Sequence, residues 1–215
     1  MAAIFPSDVE AIATDRFQND EYSTLLALRD GLSEDYNVYH GVHWSKANRK
    51  YTAFGEIDFV IVNKAGCVLV IEQKNGALVE SPQGLEKHYS GDQKKLVYSQ
   101  VQRNLGLLRD KFKKSHPQSP QLTVDYIIYC PDHDVIDVNA VGVDMQRTVD
   151  ARSIKSLSDR VDQLLKTDKD DNAILVKELH NFLLSSFRIA PDINAYKSNQ
   201  KRVYRHLLDG LSEVI

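Results

Sequence analysis

Cysteine is scarce in this chain, with only two residues, Cys67 and Cys130, among 215. Both lie in apolar runs with β-strand character, which is typical of reduced thiols packed in a protein core. Two isolated cysteines cannot combine with the scattered histidines into the closely spaced ligand set of a zinc site. Cysteine usage therefore favours a reducing, cytoplasmic setting.

Long apolar runs and an excess of positive charge are also lacking. No run approaches the ~18 apolar residues that a membrane span requires, and the N-terminal residues carry charge too early and too often for a secretory signal. Lys and Arg number 27 against 30 Asp and Glu, which gives a net charge of −3. A nucleic-acid partner would therefore have to be bound by a local basic patch, because there is no general positive field.

The spacing of apolar residues predicts a helix, three strands, a second helix and a fourth strand, in that order. The helix covers 20–34, the first strand covers 36–44, and two further strands at 56–63 and 67–74 flank a turn at 64–66. The other predicted elements are a loop over 75–92, a helix over 93–114, a buried strand over 123–130, a strand-like piece over 140–145, and helices over 153–166 and 172–186.

The most apolar segment, GEIDFVIVNKAGCVLVIEQKNG at 55–76, contains three charged residues where a hairpin would favour Val or Ile. With a turn at 64–66, the antiparallel register sets Asp58 opposite Glu72 on the same face. Lys74 lies two residues beyond Glu72 and therefore shares that face. We expect the three side chains to converge at one end of the hairpin, although a register shift of one residue would separate them.

Two neighbouring carboxylates repel each other unless positive charge lies between them. Lys74 supplies one such charge, and Mg²⁺ or Mn²⁺, which prefer hard oxygen ligands, would supply the rest. A metal held by Asp58 and Glu72, with a water near Lys74, suits attack on a phosphodiester. The alternative is a solvated strand edge on which the lysine simply pairs with an acid, an arrangement worth ~0–1 kcal/mol.

The order of elements and the pattern D-x13-E-x-K resemble the PD-(D/E)XK nuclease superfamily. More narrowly, residues 55–76 resemble the NERD (nuclease-related) domain, which has a G-E-x-D strand followed by a strand that ends in E-x-K-N. The resemblance covers roughly 20–130. It implies an α/β fold with a restriction-endonuclease-like α-β-β-β-α-β core, a mixed central sheet flanked by helices, and further helices at the C-terminus.

The resemblance also implies roles for residues outside the hairpin pair. The backbone carbonyl of Gln73 would help Asp58 and Glu72 to bind the metal, and Lys74 would orient or activate the attacking water. An acid on the first helix, best matched by Glu21 with Glu10 as a rival, would join the metal site. A glutamine on the helix after the core strands, matched by Gln100 with Asn104 one turn later, would complete the catalytic set.

Two positions depart from the pattern of the superfamily. Ile57 precedes Asp58 where the superfamily name has proline, and Gln73 stands between the acid and the lysine where the family usually has an apolar residue. The Gln73 side chain is expected to face away from the site. The departure therefore concerns packing more than chemistry.

Candidate contacts to nucleic acid come from basic and aromatic residues. Any single basic residue is also explained as part of a solvated helix face. The basic candidates are Lys46, Arg49, Lys50, Lys94, Lys95, Arg103, Arg109, Lys111, Lys113 and Lys114, and the aromatic candidates are Tyr51, Phe54, His88 and Tyr89.

The expected domains are a nuclease core over 1–150 and a helical extension over 151–215. The final segment resembles the linker that joins some NERD domains to a helicase-like ATPase, and no G-x-x-x-x-G-K-[ST] phosphate loop occurs here. The expected function is divalent-metal-dependent hydrolysis of DNA, in DNA repair or phage defence. RNA as substrate, a homodimer and a non-catalytic nucleic-acid-binding or protein-docking module remain alternatives.

Overall fold

A computed structural model of the chain describes residues 1–7, 19–47, 52–89, 93–186 and 188–189. Several positions discussed above lie outside the described residues, namely Glu10, Arg49, Lys50, Tyr51, the segment 190–215, and the side chains of Lys46 and Phe54.

A mixed sheet forms the centre of the molecule. Its strands are β1 (Ala3–Phe5), β2 (Tyr36–Ala47), β3 (Thr52–Asn63), β4 (Val68–Gln73), β8 (Val124–Cys130) and β9 (Thr148–Asp150), in the spatial order β1-β2-β3-β4-β8-β9, with β10 (Arg188–Ile189) paired to β2. The β2–β3–β4 portion is antiparallel, whereas β8 runs parallel to β4 and β9 runs parallel to β8. The hairpin and the buried strand that follows it are thus neighbours in one sheet.

Helices cover both faces of this sheet. They are α1 (Asn19–Gly31), α2 (Val97–Ser115), α3 (Leu157–Leu165) and α4 (Ala173–Ser186), with a 3-10 helix at Ala151–Ser156 before α3. Apolar side chains of α2 and α4 pack on one face, and those of α1 and α3 pack on the other. The fold is therefore the predicted mixed α/β core with additional C-terminal helices. The division into 1–150 and 151–215 stays a prediction.

Asn63 fixes the turn between β3 and β4. Its side-chain Oδ1 accepts hydrogen bonds from the backbone N–H groups of Ala65 and Cys67, at 3.1 and 2.8 Å. Gly66 has a φ of 79°, and a Cβ there would lie 2.5 Å from Leu175 Cδ2, so both backbone conformation and space require glycine. The predicted turn at 64–66 is confirmed.

A second, small antiparallel sheet occupies the region predicted as a loop over 75–92, so that prediction was wrong. Its strands are β5 (Val79–Ser81), β6 (Gly84–Tyr89) and β7 (Gln93–Leu96). The helix expected from 93 accordingly begins at Val97. These strands are short and mostly polar, with Leu85 as a buried anchor, so they lack the alternation of apolar residues that indicates a strand.

The strand-like piece at 140–145 was also predicted wrongly, because the chain forms turns there. Val141 N–H donates to the Pro82 carbonyl, Val143 N–H donates to the Ala140 carbonyl, and Val141 is 62% exposed. The strand that pairs with β8 comes slightly later, as β9. Without a neighbouring strand, the backbone N–H and C=O groups of a β-branched segment have no ladder partners, so the residue pattern alone does not produce a strand.

Both cysteines are free and buried, as the sequence predicts, and burial raises the pKa of Cys130 to about 12. Within the described part of the chain, no helix combines the length and the apolar character needed to cross a membrane.

Candidate active site

The antiparallel register brings Asp58, Glu72 and Lys74 together at one end of the β3–β4 pair. The ladder pairs Phe59 with Ile71, so Asp58 and Glu72 occupy the next opposed positions. Lys74 Nζ donates a hydrogen bond to Glu72 Oε1 and lies 4.0 Å from Asp58 Oδ2. All three residues are buried, with relative exposures of 8%, 0% and 9%. This burial excludes the alternative of a solvated strand edge.

Gln73 contributes its backbone to the same cluster. Its N–H donates to Asp58 Oδ2 at 2.6 Å, and its carbonyl accepts a hydrogen bond from Lys74 Nζ at 3.0 Å. The Gln73 side chain donates instead to Asn75 Oδ1 at 2.8 Å. The backbone carbonyl therefore lies beside the carboxylates, whereas the polar side chain makes its contact elsewhere.

Helix α2 holds the Glu72 carboxylate from the facing layer. Gln100 Nε2 donates to Glu72 Oε1, and Asn104 Nδ2 donates to Glu72 Oε2 at 3.2 Å. Asn104 is fully buried and also accepts a hydrogen bond from Trp44 Nε1 at 3.2 Å. Glu72 is thus fixed by a lysine and two amides, so its oxygens have a defined orientation.

The electrostatics of the cluster show an excess of buried negative charge. Burial and the neighbouring Glu72 carboxylate raise the pKa of Asp58 well above its usual value, and Lys74 offsets this only in part. Burial likewise raises the pKa of Glu72. Burial would lower the pKa of Lys74, but the two carboxylates outweigh it and keep the ammonium protonated. The site therefore favours additional positive charge.

Glu21 lies near this cluster and contacts a different partner. Its Oε2 is 2.8 Å from His40 Nε2, and the His40 ring lies 5.1 Å from the Phe59 ring, next to Asp58 in sequence. The charge of Glu21 contributes to the raised pKa of both Asp58 and Glu72. Glu21 thus shares the electrostatic environment of the other two acids, while its hydrogen bond is to His40.

The donor set fits a hard divalent cation. Asp58, Glu72 and the Gln73 carbonyl present oxygen atoms to the Lys74 ammonium, and oxygen ligands are those that a hard divalent cation prefers. Among the described residues, no group of three or more His, Cys, Asp or Glu converges on a single metal position. The oxygen donors at this position are two carboxylates and one carbonyl, and Mg²⁺ commonly completes so small a set of protein ligands with waters.

Three further residues surround the site. Sequence reasoning did not single out His40 or Trp44, and it named Arg103 only as a basic candidate for contact with nucleic acid. His40 pairs with Glu21, and Trp44 donates to Asn104. Arg103 lies over the Trp44 ring at 5.7 Å, is exposed, and its charge offsets a small part of the rise in the pKa of Glu72. The strand pattern of 36–44 could have placed His40 and Trp44 in the sheet, but their partners on α1 and α2 are set by tertiary packing.

Other basic candidates on α2 lie away from the cluster. Arg109 donates to the Val124 carbonyl at the start of β8, and Lys113 donates to the carbonyls of Pro117 and Ser119. Val124 pairs with Val68, which begins β4 at the turn end of the hairpin. Arg109 is nine residues beyond Gln100, a distance of about 14 Å along a helix. A phosphate bound by this group, which includes Lys111 and Lys114, would therefore not lie near Asp58 and Glu72.

A mixed sheet that buries an acid pair and a lysine at the end of a hairpin defines a restriction-endonuclease-like protein. The family model of the nuclease-related domain matches residues 18–131, just over half of the chain. The chain therefore belongs to the NERD family, which indicates a nuclease-related function. No curated protein and no solved structure matches the chain.

Proposed function

We propose that this protein is a divalent-metal-dependent deoxyribonuclease that hydrolyses phosphodiester bonds. The observation that carries the proposal is the buried cluster of Asp58, Glu72 and Lys74 in a chain of the nuclease-related family. Two buried carboxylates with raised pKa values are costly to a fold. Such a cost is typical of sites where carboxylates are needed for chemistry.

The acid residues would hold the metal. Asp58, Glu72 and the Gln73 carbonyl are the proposed ligands, and Glu21 adds negative charge from α1. When bound, Mg²⁺ or Mn²⁺ supplies Lewis-acid polarisation of a phosphoryl oxygen and lowers the pKa of a coordinated water. Gln100 and Asn104 keep the Glu72 oxygens in one orientation, which limits reorganisation during the reaction.

Lys74 is the proposed partner of the attacking water. Its ammonium remains protonated beside the two carboxylates, so it acts as a hydrogen-bond donor and a positive charge. In this role it orients the water through its oxygen and stabilises charge that develops on the phosphate. Arg103, exposed and supported by the Trp44 ring, is placed to neutralise a neighbouring phosphate of the substrate.

The experiment is cleavage of supercoiled plasmid and single-stranded DNA with Mg²⁺, Mn²⁺ or EDTA, comparing wild type with Lys74→Ala. Metal-dependent cleavage by wild type should fall at least about 100-fold in the variant. Circular dichroism with Mg²⁺ present should show an unchanged fold. Unfolding of the variant would make Lys74 a structural residue, and equal cleavage by both proteins would rule out this site as the source of activity.

A non-catalytic nucleic-acid-binding or docking module is the second candidate. The ion pairs of Lys74 with Glu72 and Asp58 favour it, because the ammonium already compensates part of the buried charge without a metal. Calorimetry separates the two candidates, since a docking module should give no heat of Mg²⁺ or Mn²⁺ binding. The DNA-repair or phage-defence setting, the cytoplasmic location and a helicase-like ATPase partner are proposals that rest on the resemblance alone.

A further inference from the structure

The hairpin formed by β6 and β7 has two chemically different faces. In its register, Lys87 pairs with Lys95, His88 with Lys94, and Tyr89 with Gln93. Because directly opposed residues share a face and alternate residues switch faces, the four residues Lys87, Tyr89, Gln93 and Lys95 form one surface, here called the inner face. Glu86, His88 and Lys94 lie on the outer face.

The inner face lies against the segment that follows Lys74. Lys87 Nζ donates hydrogen bonds to the backbone carbonyls of Asn75 and Ala77, which attaches the hairpin to this segment. Asn75 directly follows Lys74 in the chain, so these contacts place the hairpin beside the candidate active site.

The two faces differ in how their positive charges are balanced. On the outer face, Glu86 Oε2 lies 3.1 Å from His88 Nε2 and 3.8 Å from Lys94 Nζ, so a carboxylate neutralises that side. Among the described residues of the hairpin, the inner face carries no carboxylate. Lys95 Nζ lies 5.1 Å from the centre of the Tyr89 ring, and Tyr89 is 43% exposed.

We propose that the inner face binds a single-stranded segment of DNA beside the acid cluster. Lys95 contacts a phosphate, the exposed Tyr89 ring stacks on a base, and Gln93 offers an amide to the same strand. Lys87 anchors the surface through its backbone contacts. The inference rests on the proposed nuclease function, because it names the form of nucleic acid that reaches that site and the residues that hold it.

Charge complementarity indicates which class of molecule binds to the inner face. Within the described part of the hairpin, this surface combines the Lys95 ammonium with an exposed aromatic ring and no carboxylate, which suits a polyanion with stacked bases. Lysine is depleted at protein–protein interfaces, whereas the inner face consists of two lysines, an amide and one ring. The whole protein has a net charge of −3, so this local surface differs in sign from the average.

The test is the fluorescence anisotropy of a labelled single-stranded oligonucleotide with the full-length chain in EDTA, where cleavage is prevented. Lys95→Ala should weaken binding about two- to tenfold and make the salt slope about 0.7 less negative. Lys94→Ala removes the same charge from the adjacent residue on the outer face and should change binding less than twofold. Tyr89→Ala should weaken binding about tenfold, and Tyr89→Phe should restore it because the ring is kept.

The possible outcomes distinguish failure of the inner-face proposal from failure of the nuclease proposal. Equal effects of Lys94→Ala and Lys95→Ala, an equal loss in Tyr89→Ala and Tyr89→Phe, or no binding by wild type would overturn the inner-face proposal. Binding that depends on Lys95 and Tyr89 but occurs without any metal-dependent cleavage would keep it and overturn the nuclease proposal. Preferential binding of duplex DNA or RNA, unaffected by Tyr89→Ala, would overturn the single-strand assignment. Thermal melting of each variant confirms the fold, which these exposed positions should leave intact.

Discussion

Trp44 and Gly55 lie opposite each other across the β2–β3 pair, and the indole ring fills the space that a side chain at 55 would need. A Cβ at this position would lie 2.2 Å from Trp44 Cζ2. The indole in turn donates to Asn104, which holds Glu72. The glycine that begins the G-E-x-D pattern thus has a physical role: it lets Trp44 reach the residues that orient the acid.

We predict that Gly55→Ala destabilises the protein by about 1–3 kcal/mol, because the indole must move away from the new methyl group. The displaced ring would also release Asn104, so cleavage should fall as well. Urea unfolding measures the first effect. Gly106→Ala is a suitable control, since a Cβ there, inside α2, meets nothing within 4 Å and should stabilise by about 0.5–1 kcal/mol. Equal stability of Gly55→Ala and wild type would contradict the packing argument.

The hairpin could be predicted from the sequence because the residues that determine it lie close together along the chain. Apolar alternation and the turn at 64–66 fix the register, and the register alone sets Asp58 opposite Glu72. The link from Trp44 through Asn104 to Glu72 could not be predicted in this way. It joins residues 60 and 32 positions apart, and depends on how α2 lies over the sheet.

The small sheet escaped prediction for a different reason. Lys94 and Lys95 resemble the first turn of a helix that continues into the apolar pattern of α2, yet both belong to β7. Their strand conformation is stabilised by pairing with β6, a contact that a helical pattern in one segment does not reveal. As a result, the different faces of Lys94 and Lys95 emerge only from the structure.

Asn104 is predicted to be essential to the site and costly to replace. It contacts Trp44 Nε1, the Glu56 carbonyl and Glu72 Oε2, so Asn104→Leu would leave buried polar groups without their partner. We expect a loss of about 2–4 kcal/mol in stability and a loss of cleavage. Gln102→Leu, at an exposed position on the same helix, should change stability by less than about 0.5 kcal/mol. Comparable losses in both variants would indicate a general effect on α2.

Glu80 is predicted to make stability sensitive to acid. Its carboxylate accepts hydrogen bonds from the N–H groups of Ile136 and Asp137 and contacts His133 Nε2 at 2.9 Å. Burial favours the neutral acid, but the two N–H donors and His133 outweigh it and lower the pKa of Glu80. A lowered pKa in the folded state contributes stability above the unfolded value of about 4.3, and this contribution is lost as pH falls.

Thermal melting between about pH 2 and 7 measures this contribution. Glu80→Gln should be less stable than wild type by about 1 kcal/mol at neutral pH, and the difference should shrink towards the acid end. Glu34→Gln, at an exposed position, serves as the control and should follow wild type throughout. A constant difference between wild type and Glu80→Gln at every pH would show that the Glu80 charge is not responsible.

Asp58 should affect the pH dependence of stability in the direction opposite to Glu80, because its pKa is raised in the folded protein by burial and by Glu72. A raised pKa gives stability that is present below the unfolded value of about 3.9 and is lost as pH rises through the folded value. Asn at 58 can still accept the hydrogen bond from Gln73 N–H without carrying the charge. Asp58→Asn should therefore melt about 2–4 °C above wild type in EDTA at neutral pH, and the difference should vanish towards pH 4.

If the carboxylates are metal ligands, added metal should reverse the order of the melting temperatures of wild type and Asp58→Asn. Mg²⁺ or Mn²⁺ should raise the melting temperature of wild type by mass action and leave Asp58→Asn nearly unchanged, while the variant loses cleavage. Glu72→Gln gives a useful contrast. Lys74 would then keep its buried charge with the more distant Asp58 carboxylate at 4.0 Å in place of a directly bonded one, so the fold should be weakened in EDTA. A lower melting temperature for Asp58→Asn than for wild type in EDTA would mean that Lys74 outweighs both burial and Glu72. The acid pair would then be a stabilising ion-pair network with no need for a metal.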